Sequence, residues 1–396
     1  MIAVDEAISR IIGTFATLPA EDVALTDACR RVLAADVTAG FDQPPGDVSA
    51  MDGYAVRAVD AAVGACLKVK GESPAGKPFR GTVAEMEAVR IFTGGIMPAG
   101  ADAVVIQEDV QRTDDRITIA EAPKRGENIR SRGLDFRAGE VLIQSGKRLT
   151  ARDIAVIAAA DMPVIQLRRK PRVALFATGD ELSRPGEPRK DGGIVASSTY
   201  AIQAMIRNWG GEAIDCGILS DRIEAFETLP TLTSGADLIV TQGGASVGDH
   251  DLVQAALGRH GFVLDFWKIA MRPGKPLIFG RMGDTPLIGL PGNPVSAMVC
   301  AQLFIRPAIA KMLGCPFRAP IVSAALASPL PANGKRQDYV RARLETRLDQ
   351  VVATPFRLQD SSTQKIFAQA DALIIRPPGA PAAAEGDRVD ALLLDG

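Results

Sequence analysis

The sequence predicts a multidomain protein of α/β and β parts, and three observations carry that prediction. From residue 172 onward, VALFATGDEL, SSTYAIQAMIRNWGG, EAIDCGILSD, RIEAFETLPTLTSG and DLIVTQGG read as strand, helix, strand, helix and strand. Such alternation implies βαβ units with right-handed crossovers, hence a mostly parallel sheet covered on both faces in three layers. Two other blocks, 46–139 and 316–396, hold short strand candidates separated by Gly, Pro and Asp. Finally, 396 residues are too many for one ordinary core.

Val4, Ile8, Ile11, Ile12 and Phe15 recur at helical spacing, so the chain opens on an amphipathic helix ending between residues 13 and 18. Residues 23–37, VALTDACRRVLAADV, read as a short strand, a brief helix opened by Thr26 or Asp27, and an extended exit. Two prolines and a glycine at 44–46 exclude regular structure and set a boundary. Beyond it, YAVRA, CLKVKGE, AVRIFTGG, AVVIQEDV and ITIA form an inserted β-rich domain over 46–139. Polar residues gather at three of its turns: Ser49, Asp52 and Tyr54; Thr93, Gly94 and Gly95; Asn128, Arg130, Gly133 and Asp135. Ordinary turn chemistry accounts for each group, and a solvated face accounts for Arg125, Arg130, Arg132 and Arg137. Residues 149–163 read as a helix that starts at Leu149 or Thr150 and stops at Pro163. With QLRRKP they return to the first segment, so 1–45 and 140–171 form a discontinuous linking domain, its first helix open to packing on the α/β domain. Residues 172–315 are the α/β domain, which the helix NPVSAMVCAQLFIRPAIAKMLG leaves. From 316 to 396, IVSAAL, DYVRARLET, VVATPFRL, ALIIRPP and RVDALLL read as a C-terminal β-barrel or sandwich.

Residues 236–251, ADLIVTQGGASVGDHD, change character twice. Leu238, Ile239 and Val240 suit a buried strand. Gln242-Gly243-Gly244 then lets backbone approach something closely, and Ser246, Gly248, Asp249 and Asp251 lead into the helical pattern LVQAALGRHG. A strand, a glycine turn and a helix start place free N–H groups and a positive dipole end at one point, which suits a phosphate. Asp249 and Asp251 beside it suit a hard divalent cation, although helix capping is the other reading of Asp249. Residues 286–298, PLIGLPGNPVSAM, repeat this layout, and the basic turn RPGKP at 272–276 lies between.

Ligands of parallel sheets bind beyond the carboxyl ends of the strands. That rule brings together four loops: 178–181, 217–221, 243–251 and 291–294. Asp180, Glu181, Asp221, Asp249 and Asp251 then crowd one rim, which is unfavourable without a cation among them. His250 and His260 are the chain's two histidines, so oxygen-ligated Mg²⁺ fits better than a transition metal. His250 reads as a ligand contact or as a solvated loop residue. Arg272 and Lys275 offer positive charge to an oxyanion or phosphate. These features suggest phosphoryl or nucleotidyl chemistry on a phosphorylated small molecule. No nucleophile with an adjacent base is visible, so catalysis rests on positioning and electrostatics.

Composition narrows the classes. A net charge of −2 with 23% charged residues argues against a nucleic-acid binder. No apolar run reaches the roughly 18 residues of a membrane span. Cys29, Cys66, Cys216, Cys300 and Cys315 are scattered without a C-x-x-C pair, which fits a reduced compartment and neither a disulfide framework nor a zinc site. The start MIAVDEAISRIIGTF does not read as a signal peptide, and the expectation is a cytoplasmic protein.

Seven motifs stand in one order: SAMDGYAV at 49–56, RIFTGG with PAGADAVVIQE at 90–108, GENIRSRGLDF at 126–136, ATGDEL at 177–182, TQGGASVGDHD at 241–251, KIAMRPGKP at 268–276 and GLPGNPVSA at 289–297. Together they resemble the molybdopterin molybdotransferases, the family of bacterial MoeA and the gephyrin E domain, over essentially the whole chain. The resemblance implies an elongated four-domain protein whose α/β domain binds molybdopterin. It implies a homodimer with clefts shared between subunits, the β-rich domain of one facing the α/β domain of the other. Asp52 and Thr93, as catalytic residues, and Asp135, on the cofactor side, match positions near that cleft. The implied reaction transfers molybdenum from molybdate into adenylylated molybdopterin with release of AMP and the assistance of Mg²⁺. Glu181, Asp221 and Asp251 match the family's acidic set, catalytic and Mg²⁺-holding. Lys268, Arg272 and Lys275 would hold phosphate or incoming molybdate. Gly243, Gly244 and Ser246 would cradle the pterin-side phosphate, and Pro291 and Pro294 would fix the neighbouring loop. A molybdopterin adenylyltransferase and molybdoenzyme maturation proteins are the implied partners, with no nucleic acid and no membrane.

The chain also departs from the family pattern. Where Asp-x-Asn is usual, it carries Ala196-Ser197-Ser198, losing a carboxylate and an amide. Arg272 replaces a usual lysine, keeping charge but changing geometry. In the last domain, Asp360-Ser361-Ser362-Thr363 and Ala370-Asp371-Ala372 replace a glycine-flanked serine and an Ala-Asn-Gly turn. These changes keep open an alternative, a paralogue that carries molybdopterin, or serves one client enzyme, without inserting metal. A scaffolding role has no extra interaction segment or disordered linker behind it.

Overall fold

A computed structural model describes residues 1–243 and 256–394. Packing divides the chain into two units, one of Met1–Ala34, Gly146–Leu149 and Ile165–Gly396, the other of Ala35–Ser145 and Thr150–Val164.

The first unit is built on six strands, β1 (Arg172–Thr178), β2 (Glu212–Leu219), β3 (Leu238–Gln242), β4 (Phe262–Trp267), β5 (Ile278–Met282) and β6 (Thr285–Leu290). They lie in the order β2-β1-β3-β6-β5-β4. β2, β1, β3 and β6 run parallel, and β5 is antiparallel to both its neighbours. The expected mostly parallel sheet is therefore present, extended by two strands that the sequence pattern did not announce. Strand periodicity explains the layers. Val173, Leu175, Leu238 and Val240 face one cluster while Ala174, Phe176 and Ile239 face another, so both faces are covered.

On the first face pack the helix Val4–Gly13, through Val4, Ala7 and Ile11, and the helix Ser197–Asn208, through Ile202 and Ile206. The chain leaves the sheet on a continuous helix over 294–312, with α-helical Pro294–Cys300 and Arg306–Met312 joined by a π-helical stretch, Ala301–Ile305. The wider turns coincide with Pro307, which lacks an N–H and crowds the preceding turn. Contrary to the sequence reading, this helix is long and apolar enough to cross a membrane, but 83% of its apolar window is buried inside the unit, so it is a core helix. On the second face the helix expected over 222–235 is instead the 3-10 segment Ile223–Thr228 and one α-turn, Leu229–Leu232. Pro230, the second residue of that turn, cannot donate the backbone bond that a continuous helix requires there.

The C-terminal part resolves to a barrel. Gln337–Arg347 pairs with both Gln350–Pro355 and Ala372–Arg376, which closes a five-stranded ring through Ile321–Leu326 and Arg388–Leu393. The two-residue strand Met271–Arg272 pairs alongside Gln337 and Asp338, so the RPGKP turn is anchored to the barrel.

The second unit holds a six-stranded sheet in the order Ala103–Ile106, Gly53–Val56, Glu87–Ile91, Cys66–Ser73, Arg116–Ile119 and Val110–Thr113. All pairs are antiparallel except Cys66–Ser73 with Glu87–Ile91. Packing groups 35–45 and most of 140–164 with this sheet, whereas the sequence reading set them in a linking domain. The reason is local. Val37–Thr38 pairs with Val141–Ile143, and Ala39, Phe136 and Ala160 form a small core with Leu142 and Met162. The helix Ala151–Ala159 starts as expected on Thr150, whose side chain and Asp153 form a reciprocal capping box.

Candidate active site

A cavity of about 340 Å³ opens at the carboxyl ends of β1, β2, β3 and β6. Its lining draws on all four loops that the strand-end rule gathers, through Thr178, Gly179 and Glu181, Asp221, Gln242 and Gly243, and the run Pro291 to Pro294. Glycine makes the close approaches possible. Gly243 has φ +99, and a Cβ there would lie 2.6 Å from the Thr178 carbonyl oxygen, so this crossing of β1 and β3 admits no side chain. At Gly179 a Cβ would meet the Glu181 carboxylate at 2.7 Å. Pro294 starts the core helix, where a missing N–H costs nothing.

The opposite wall comes from the segment after Glu181. Leu182–Ser183 pairs in parallel with Ile194–Val195, and the Ala196 N–H donates to the Ser183 carbonyl at 3.0 Å. This returns Ala196 and Ser198 to the cavity. Gln242, only 7% exposed, donates through Nε2 to Ser198 Oγ and, at 3.5 Å, to the Gly292 carbonyl. Its Oε1 and the Thr178 hydroxyl are buried without a hydrogen-bond partner among the described residues.

Glu181, Asp221, Gly243, Pro291 and Pro294 thus share one cavity. Gly244, Ser246, Asp249, His250 and Asp251 lie outside the described residues. The three basic residues are dispersed. Lys268, at φ 71, sets its amine 3.5 Å from the Trp267 ring centroid. Lys275 is exposed in its turn. Arg272 forks onto Asp338, with Nε to Oδ1 at 3.0 Å and Nη2 on Oδ2, and lines a second cavity beside the barrel with Asp338 and Arg376. From that turn, Pro276 is the residue that lines the first cavity.

In the second unit the polar turns converge. The Ser49 N–H and carbonyl bond to Gly95 and Gly94, and Ile129–Arg130 pairs with Val48–Ser49. Asp52 Oδ1 accepts from the Thr93 N–H at 2.7 Å and from its hydroxyl at 2.8 Å, and these bonds hold the carboxyl below the usual carboxylate range. Asp135 is exposed, its N–H donating to the Gln43 carbonyl.

Gln242, Thr178, Asn293 and Pro276 also line the first cavity and were not singled out as site residues from the sequence. The available signal at Gln242 is a polar residue closing an apolar strand directly before two glycines. Among the described residues no group of three or more His, Cys, Asp or Glu side chains could hold a metal ion. Glu181 and Asp221 are the two carboxylates of the described lining, and a hard cation that takes most of its ligands from water and substrate phosphate needs no more than such a pair.

Comparison with known proteins identifies the arrangement. Residues 2–160 match the MoeA N-terminal region (domain I and II), 174–311 a probable molybdopterin binding domain, and 323–394 the MoeA C-terminal region (domain IV). The molybdopterin molybdenumtransferase of Haemophilus influenzae is 39% identical over 318 residues, covering 79% of this chain and 78% of that protein. Its counterpart from Bacillus subtilis is 33% identical over 404 residues, covering 99% and 94%. The crystal structure of the molybdopterin biosynthesis MoeA protein from Pyrococcus horikoshii matches with a TM-score of 0.87 at 30% identity, over 100% of both chains. With family matches from end to end, and relatives of this identity along the full length, the chain belongs to the molybdopterin molybdenumtransferase family of molybdenum cofactor biosynthesis.

Proposed function

We propose that the protein inserts molybdenum from molybdate into adenylylated molybdopterin with release of AMP, in the cavity at the ends of β1, β2, β3 and β6. The observation that carries this reading is the meeting of Glu181 and Asp221 with the side-chain-free turn at Gly243 and the Pro291 to Pro294 loop. Carboxylates beside exposed backbone suit a cation and a phosphoanhydride held together. Glu181 and Asp221 would hold Mg²⁺, with Asp251 as the third expected carboxylate. Bound there, Mg²⁺ would neutralise charge on the phosphoanhydride oxygens. The protein's own part is to fix the anhydride against the Gly243 turn and to orient the ring systems along the Gln242 wall.

The test follows AMP release from adenylylated molybdopterin with Mg²⁺ and graded molybdate, together with activation of a molybdenum-free apoenzyme by the product. Release that depends on molybdate, with activation, supports insertion. Ligand retained with neither signal would overturn it in favour of a carrier, the reading favoured by the Ala196 methyl and the engaged Ser198 hydroxyl. Restoring Ala196→Asp with Ser198→Asn sharpens that choice, because a large gain in rate would mark a weakened enzyme.

The working form we propose is a cytoplasmic homodimer in which Asp52, Thr93 and Asp135 of one subunit complete the partner's cleft. Mixing inactive Glu181→Gln and Asp52→Asn chains would then restore activity, whereas a self-contained site would stay inactive in the mixture.

A further inference from the structure

The wall of the cavity formed by Gln242 and Thr178 carries open hydrogen-bonding capacity that the described residues do not use. Gln242 is 7% exposed and Thr178 5%, and both line the cavity. Nε2 of Gln242 is engaged by Ser198 Oγ and faces the Gly292 carbonyl, which needs a donor and so fixes the orientation of the amide. Oε1 is therefore the atom left over, and it has no partner among the described residues. A buried carbonyl oxygen without a donor costs about 1–3 kcal/mol, an expense that native proteins carry chiefly where a ligand removes it.

The chemistry of the missing group follows. Oε1 only accepts, so phosphate and molybdate oxygens, acceptors themselves, are repelled from it. A hard cation is drawn to the charged carboxylates of Glu181 and Asp221 before a neutral amide. What remains is an N–H donor. The Thr178 hydroxyl, which both donates and accepts, suits a ring nitrogen beside that donor. We propose that Gln242 and Thr178 form the ring-recognition wall of the cavity, Gln242 Oε1 accepting from an exocyclic amino group of an aminated nitrogen heterocycle and Thr178 bonding the adjacent ring nitrogen. This rests on the functional reading above and deepens it. It orients the substrate, with the heterocycle on the β1–β3 wall and the anionic portion toward the carboxylates and their cation. Adenine and the pterin both present such an edge.

Calorimetric titration of the full wild-type chain with two matched pairs of probes tests the assignment. AMP is compared with purine riboside 5′-monophosphate, which lacks the 6-amino group. 6,7-Dimethylpterin is compared with 6,7-dimethyllumazine, in which an oxo group replaces the 2-amino group. One pair is expected to show a preference of about tenfold for the aminated member, and the pair that does so names the ring. Gln242→Met should remove that preference while the non-aminated partner binds as before, an outcome that a merely structural glutamine would not produce. The wild-type comparison stands even if the variant fails to fold. Binding of the probes without discrimination in either pair would overturn this assignment alone. Failure of the wild type to bind any of the four would overturn the functional reading together with it.

Discussion

In the β-rich unit, the Asp52 carboxylate takes both the N–H and the hydroxyl of Thr93, while at the end of β3 the Gln242 Oε1 and the Thr178 hydroxyl are buried without a partner among the described residues. Both clusters sit at turns that join strands, and both hold polar groups beside glycines. The first is closed on itself and stabilises its own unit. The second is stable only to the extent that the surrounding sheet holds it, and its two residues line a cavity. Hydrogen-bond accounting therefore separates a polar turn whose groups are satisfied within their own unit from one with capacity left over, a distinction residue type alone does not make.

Breaking the open site should have the largest effect. Glu181→Gln is expected to lower molybdate-dependent AMP release by about a hundredfold or more while leaving the melting temperature nearly unchanged, since the side chain is exposed. Full activity in that variant would remove the carboxylate rim from the reaction. Gly243→Ala comes next. The φ of +99 costs a side-chain-bearing residue about 1–2 kcal/mol, and the added methyl would also press on the Thr178 carbonyl. Denaturant unfolding should show that loss, and calorimetry a weaker ligand.

Two substitutions in the β-rich unit test its own hydrogen bonding. Thr150→Ala removes the capping box of Ala151–Ala159 and should cost about 1 kcal/mol, read from the unfolding of the unit that contains it. Thr93→Val is the smallest and the most discriminating. Asp52 is held below its ordinary pKa in the folded state, so its contribution is complete above about pH 4 and disappears as pH falls through the folded value. In Thr93→Val the carboxyl should titrate nearer the ordinary carboxylate value by NMR, and the acid-unfolding profile should lose that component. An unchanged titration would mean that other groups set the charge of Asp52.

Much of the architecture was legible in the chain because it is written in local periodicity. The alternation after residue 172, apart from its helix at 222–235, the five C-terminal strand candidates and the Thr150 start have counterparts in the structure. The four loops at the strand ends meet because a parallel sheet with right-handed crossovers leaves them no other end. Less was legible where contacts are distant in sequence. β4 and β5 form an antiparallel edge through VLDFW and IFGRM, segments whose mixed burial breaks any clear alternation. Arg272 finds Asp338 sixty-six residues away, so the basic turn that reads as one clamp is divided between two cavities.

What the sequence by itself determined is the order and type of elements, the family, and the rim on which ligands converge, since each depends on spacing within a segment or on motifs in a fixed order. Only the tertiary structure decided that the last domain closes into a barrel and that Gln242 is an open acceptor while Asp52 is a satisfied one. Closure requires a strand to find its second partner, and satisfaction requires two groups far apart in the chain to meet. Both are properties of pairs that no single stretch of sequence contains.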